Sequence, residues 1–238
     1  LSMPDREDML AGLRTNEDEG PDVTGMLAFG QAVRQSEGEA RAAVIRDWMS
    51  VEHTMAMIAV DRTIRADDGL FHFYCFGGGC QNHNFYIYEQ ARTRQIWVIP
   101  WDLDNSFAVL RGAGFSADGF IKIMDAWNDL GVACEPREGG MQYAPSQLPP
   151  SCDPLIRGWA SFPDVYQAQL TKLLDGPFSE QTETRMLFAW RNQIGSTVAE
   201  AHALDGGQIS PDAWKWGLAD FTERTRILRD SAAASLRD

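Results

Sequence analysis

Residues 84–104, NFYIYEQARTRQIWVIPWDLD, hold two short aromatic and β-branched runs, Asn84 to Tyr88 and Gln95 to Trp101, on either side of a charged break, Glu89 to Arg94. Such residues suit a pleated, half-buried surface, and a brief polar break between two runs predicts a β-hairpin. Pro100 has no N–H to give to a ladder, so the second strand is expected to stop there, with Asp102 just past its tip and Asp104 two residues on. Upstream, Ser50 has the chemistry of an N-cap and Glu52 suits the positive end of a helix. Val51, Met55, Ile58 and Ala59 then recur at helical spacing, to about Ile64. Between this helix and the hairpin runs Arg65 to Asn82, with Asp67, Asp68 and Gly69, an aromatic cluster (Phe71, Phe73, Tyr74, Phe76) and a glycine run at 77–79 that reads as a flexible turn.

Further out the pattern is helical. A helix is expected over 120–131, then a long Gly- and Pro-rich surface loop over 135–153. Three helices close the chain: Phe162 to Leu174, one capped by Ser179, and one opened by Ser210 and Pro211 that lines Trp214, Leu218, Phe221 and Leu228 along one face. Residues 1–49 are polar and punctuated, with a weak helical signal at Met26 to Val33, and read as a docking or linker segment ahead of a body at 50–238. The class is α+β, mainly helical, with informative polar residues on the loops around one small hairpin.

The chain has 238 residues and a net charge of −13. An acidic surface repels phosphate backbones and anionic lipid heads, which argues against nucleic-acid partners. No apolar stretch approaches the roughly 18 residues a membrane span needs. Cys75, Cys80, Cys134 and Cys152 allow three pairings, the two locally close ones (75 with 80, 134 with 152) each stapling a loop. With no C-x-x-C pair and scattered histidines, disulfides in an oxidising compartment are expected over zinc.

Two carboxylates placed two residues apart at a strand end form a rigid place from which to offer oxygens to a hard divalent cation. Alone, an Asp in this position is more commonly a turn former that hydrogen-bonds its own backbone. Asp68 and Asn84 add weight, because phosphoryl transfer needs a carboxylate near the acceptor hydroxyl and an Asn and an Asp on the metal. Asp68, Asn84 and Asp102 occur in that order, the last two at opposite ends of one hairpin.

At this point the motifs His83-Asn84-Phe85-Tyr86-Ile87-Tyr88 and Ile99-Pro100-Trp101-Asp102-Leu103-Asp104 resemble the CotH (spore coat protein H) kinase family, which shows an H-N-Y-Y-L-Y strand, a short turn and an I-P-W-D-x-D strand end. Val60 to Gly69 (VDRTIRADDG) is similar to the family's helix end and acidic loop, and Asp153 to Ile156 with the closing helices follows its layout, over about residues 45–235. The resemblance implies an atypical protein-kinase-like fold holding ATP and Mg2+ (or Mn2+) between lobes. The γ-phosphate would pass to Ser or Thr of a secreted or surface protein, from a secreted, cell-surface or periplasmic enzyme. Asp102 and Asn84 would be metal ligands, Asp104 a supporting ligand, and Asp68 the base with Asp67 as alternative. Trp101 would flank the nucleotide.

The chain departs from the family twice. Leu70 to Asn82 stands as an insertion, which a Cys75–Cys80 disulfide would pinch into a side loop. No β-rich stretch with a phosphate-gripping Lys and Glu precedes Ser50, and the lysines, Lys122, Lys172 and Lys215, all come late. The chain therefore reads as a catalytic C-lobe that needs an upstream nucleotide-binding N-lobe. His83 reads as a core or second-layer histidine, and Tyr86, Tyr88, Trp97 and Trp101 as core packing. A noncatalytic scaffold or pseudokinase binding protein or glycan is the rival, and a metal-dependent hydrolase a third reading.

Overall fold

The computed structural model describes residues 6–14, 20–66, 68–76, 79–107, 125–137, 146–205 and 209–237. Its helices are α1 (Arg6–Ala11), α2 (Thr24–Gln35), α3 (Gly38–Trp48), α4 (Val51–Thr63), α5 (Pro154–Trp159), α6 (Pro163–Asp175), α7 (Glu180–Asp205) and α8 (Pro211–Ser235). The strands are β1 (Phe73–Phe76), β2 (Gly79–Gln81), β3 (Phe85–Glu89), β4 (Ile96–Pro100) and β5 (Ser146–Leu148).

Helix α4 is the spine. Ser50 Oγ accepts from the His53 N–H at 3.5 Å, and the face of Met55, Ile58, Ala59 and Arg62 is buried, a spacing of three to four residues that matches one side of a helix. Along it lie α5, α6 and α8. The core gathers Phe29 and Val33 from α2, Ala42 and Ile45 from α3, Met55 and Ile58 from α4, and Ile156 and Trp159 from α5. A Cβ on Gly158 would come within 3.1 Å of Arg41 and 3.2 Å of Ile45, so glycine is what lets α5 approach α3 this closely.

Helices α2 and α3 therefore differ from the docking segment expected over 1–49. Most of their charged residues face solvent, Arg41 being buried and donating to the Val33 and Ser36 carbonyls, while an apolar stripe (Phe29, Val33, Ala42, Ile45) enters the main core, and a stripe that thin is easily taken for linker composition.

The predicted hairpin is present: β3 pairs antiparallel with β4, with Phe85 opposite Pro100 and Tyr86 opposite Ile99. Phe85, Ile96 and Val98 face the core. A two-stranded ribbon has one core face, so Tyr86, Tyr88, Ile99 and Trp101 lie on the other and are more than two-fifths exposed. The expectation that the ribbon's Tyr86, Tyr88 and Trp101 pack in the core is corrected accordingly.

The segment 70–82 is not a side loop. Leu70, Phe71 and Phe73 belong to the core, and β1 pairs with both β2 and β5 in the order β2-β1-β5. Cys75 and Cys80 face each other across β1 and β2 and are disulfide-bonded, as are Cys134 and Cys152. All four cysteines are thus committed, which removes zinc ligation by thiolates. The 135–153 stretch contributes β5 and a 3-10 turn, Pro150–Cys152, instead of remaining loop throughout. Of the helix expected at 120–131, residues 120–124 lie outside the described residues, and 126–128 are turns that bury Trp127. Gly77 and Gly78 also lie outside them. The closing helices match expectation: Ser179 Oγ accepts from the Thr182 N–H, and Ser210 Oγ from that of Ala213. No helix among the described residues is long and apolar enough to cross a membrane.

Candidate functional site

Helix α4 ends at Thr63 and the chain turns through Arg65, in left-handed backbone, to Asp68, also left-handed at φ 68°. The Asp68 carboxylate is held from several sides. Tyr74 Oη, on β1, donates to Oδ1 at 2.8 Å, and His83 Nε2 sits 2.7 Å from the same oxygen. Asn84 Nδ2 donates to the Asp68 carbonyl at 2.8 Å and reaches Oδ2 at 3.3 Å. The Asp68 N–H donates to His72 Nδ1 at 3.3 Å, and His72, buried and stacked on Tyr74, faces the side-chain amide of Gln147 on β5. The 70–82 segment thus supplies a wall of ring and amide contacts behind Asp68.

Asn84 opens the hairpin at φ 58° and is 9% exposed. Its carbonyl accepts from the Trp101 N–H at 3.1 Å, which closes the base of the hairpin and brings Asp102 beside it. Asp102 is left-handed too (φ 56°) and precedes a 3-10 turn, Leu103–Asn105, that carries Asp104. Both carboxylates are exposed, and no arginine or other described residue pairs with them. Because Asn84 Nδ2 is turned to Asp68, the amide oxygen is the atom of that side chain suited to a cation. An amide oxygen with two unpartnered carboxylates is a donor set for a hard divalent ion. Among the described residues no group of three or more His, Cys, Asp or Glu side chains is placed to hold a metal.

Of the predicted site residues, the structure brings Asp68, Asn84 and Asp102 to one end of the hairpin. Asp104 follows on the turn, and Asp67 lies outside the described residues. Trp101 is 46% exposed and stacks on Tyr86 at 5.7 Å, an open aromatic shelf next to Asp102. Beyond Asp104, Phe107 N–H donates to the Ile64 carbonyl at 2.7 Å and its ring lies 4.9 Å from Phe221, tying the Asp102 turn to the end of α4 and to α8.

His83 is corrected in part. Its side chain is 46% exposed and touches the Asp68 carboxylate, so it is not a core residue, and of the two expected placements the second-layer one fits. Tyr74 and His72 bond Asp68 from six and four residues away and were missed because the 70–82 segment reads as an insertion, whereas Gln147 was missed because its contact with His72 joins segments 75 residues apart. Behind the site Arg62 is buried, donating from Nε and Nη2 to Asp61 Oδ1 at 2.9 and 2.6 Å and from Nη2 to the Ala66 carbonyl at 3.1 Å. Its guanidinium lies 4.7 Å over the Phe71 ring, which anchors the turn toward Asp68.

No curated protein and no solved structure matches this chain. The family model described as CotH kinase protein matches residues 4–230, a span that includes α2 and α3 as well as both hairpin motifs, and the chain belongs to that family.

Proposed function

We propose that this protein is an atypical, secreted protein kinase that transfers the γ-phosphate of ATP to Ser or Thr of an extracellular or surface protein. The observation that carries the reading is the junction at the hairpin base. Asn84 donates from its side chain to Asp68 and accepts at its carbonyl from the Trp101 N–H, which supports a reading in which a candidate base, an amide and the neighbouring Asp102 act together, all three on left-handed backbone. Such conformations cost about 1–3 kcal/mol each and cluster where side chains must be aimed.

In this reading Asp68 takes the proton of the acceptor hydroxyl, with Tyr74 and His83 fixing the carboxylate's orientation. Asn84 and Asp102, supported by Asp104, hold Mg2+ or Mn2+, which when bound neutralises phosphate charge. Trp101 offers an aromatic face to the nucleotide. The two disulfides fit an oxidising, extracytoplasmic location. An upstream nucleotide-binding lobe of the same protein would supply the phosphate-gripping Lys and Glu.

The test is Asp102→Ala in the full-length protein, with phosphate transfer from ATP to a casein-like acceptor as readout. A loss of about a hundredfold or more is expected, and undiminished transfer would end the assignment. A second reading, a noncatalytic scaffold for protein or glycan, is favoured by the exposed Tyr86, Tyr88, Ile99 and Trp101 face. It predicts no binding of Mg2+ with ATP by the full-length protein at saturating concentrations.

A further inference from the structure

On the far side of Arg62 from Asp61 lies a cavity of about 200 Å³, between the end of α4, the Trp127 turn, the start of α6 and the last turns of α8. At roughly 30 Å³ per water it has room for six or seven waters, or one small molecule. Arg62, Asn128, Tyr166 and Ser231 line it, with Arg65 and Asp125. Two features mark it as more than a packing gap. Arg62, with a side chain only 5% exposed, has no hydrogen-bond partner for Nη1, which stands 3.9 Å from the Asp125 carboxylate. Thr63 Oγ1, also lining the cavity, is buried without a partner. Neither atom is open to water-sized space in the cavity, and leaving buried polar groups unmade is unfavourable, so this wall is polar and under-bonded rather than inert packing.

Charge decides the class of ligand. Arg62 and Arg65 oppose a cation. Asp61 already neutralises Arg62, Asp125 adds a second carboxylate, and the C-terminal ends of α4 and α8 present the negative ends of their dipoles, which together oppose an anion. Burial raises the Tyr166 phenol above its usual range, so it is a neutral hydroxyl able both to give and to accept. Trp127 and Tyr166, edge to face at 5.2 Å, add aromatic surface.

We propose that this cavity binds a small neutral polyhydroxyl compound, a monosaccharide or the terminal residue of a glycan, with ligand hydroxyls bonding to the Asp125 carboxylate, the Asn128 amide and the Tyr166 hydroxyl. The site does not depend on the kinase reading.

Its test is saturation-transfer NMR on the intact chain with a panel of free monosaccharides and their methyl glycosides, inorganic phosphate serving as the charged control. The expected result is saturable binding that discriminates between epimers. It weakens about fivefold to tenfold in Tyr166→Phe, which removes one hydroxyl and keeps the ring, and it is unchanged in Asp102→Ala. Asn128→Ala gives a second variant that leaves the Asp61–Arg62 pair intact, with weakening again expected. Binding of methyl glycosides as well as free sugars assigns the ligand to a glycan end, and binding of free sugars alone to a monosaccharide. Absence of saturable binding by every sugar, tighter binding of phosphate than of any sugar, or binding that both lining variants leave untouched would overturn the proposal. Loss of sugar binding in Asp102→Ala would overturn it too, by moving the ligand to the hairpin, and would leave the phosphotransfer test unaffected.

Discussion

Replacing Asn84 separates backbone conformation from side-chain bonding at the hairpin base. In Asn84→Ala the hydrogen bond to the Asp68 carbonyl at 2.8 Å is lost, worth about 1 kcal/mol, and the longer reach to Oδ2 at 3.3 Å adds about 0.5 kcal/mol. The backbone stands at φ 58°, where a Cβ without a local hydrogen bond costs about 1–2 kcal/mol and Asn is tolerated. Asn84→Ala is therefore expected to destabilise by about 3 kcal/mol. Asn84→Gly loses the same bonds but suits the left-handed region, so it should cost only about 1.5 kcal/mol. Urea unfolding of the three proteins, with equal slopes against denaturant, measures both values. Phosphate transfer by the same variants in the full-length protein should fall in both, since the amide is gone from each. Equal stability of the Ala and Gly variants would refute the conformational part of the reasoning. Full transfer by Asn84→Gly would refute the amide's part.

Two further outcomes follow from burial. Phe71, 1% exposed between Trp127 at 6.0 Å and Trp159 at 6.4 Å, should cost about 3–5 kcal/mol on truncation to Ala, read from the urea midpoint; a loss under about 1 kcal/mol would return the 70–82 segment to the status of a side loop. Asp125 keeps 42% of its side chain exposed, and its partial burial raises the carboxyl above the ordinary 3.8, against the pull of Arg62 and Arg65. The folded chain then holds that proton more tightly than the unfolded chain. The resulting stabilisation is complete below the ordinary value and is lost as pH rises through the folded one. The stability of the wild type minus that of Asp125→Asn should accordingly fall as pH is raised from about 4, and a difference that is flat or rises with pH would contradict the burial assigned to this carboxylate.

What could be read from sequence was whatever has a short period or a local cap. Ser50, Ser179 and Ser210 marked helix starts correctly because an N-cap acts within three residues. The ribbon was legible from its β-branched and aromatic runs, and Asp102 from the proline before it. Which ribbon face is wet was not legible, since both faces carry bulky residues, and only the docking of Phe85, Ile96 and Val98 on the core decides it. Helices α2 and α3 were illegible as core because their four buried apolar side chains, Phe29, Val33, Ala42 and Ile45, are interspersed with small and charged residues. The pairing of β1 with β5 joins Tyr74 to Gln147 across more than seventy residues, and no local pattern reports such a contact.

The same limit explains what was missed around Asp68. Among the described residues six non-glycine positions have left-handed backbone, and Asp68, Asn84 and Asp102 are three of them. Asp and Asn tolerate that region because their short side chains can bond locally, so turn propensity and chemical role select the same residue types. A sequence therefore offers the turn former and the ligand as equivalent readings of each position. The structure separates them through partners: Asp68 and Asn84 bond to each other, to Tyr74 on β1 and to Trp101 just past β4, whereas the side chain of Asp102 neither caps the 3-10 turn it precedes nor pairs with any described residue. A carboxylate that only formed a turn would spend its oxygens on that turn's own N–H groups. Asp102 does not, so its exposed carboxylate is left to water or to the cation proposed above.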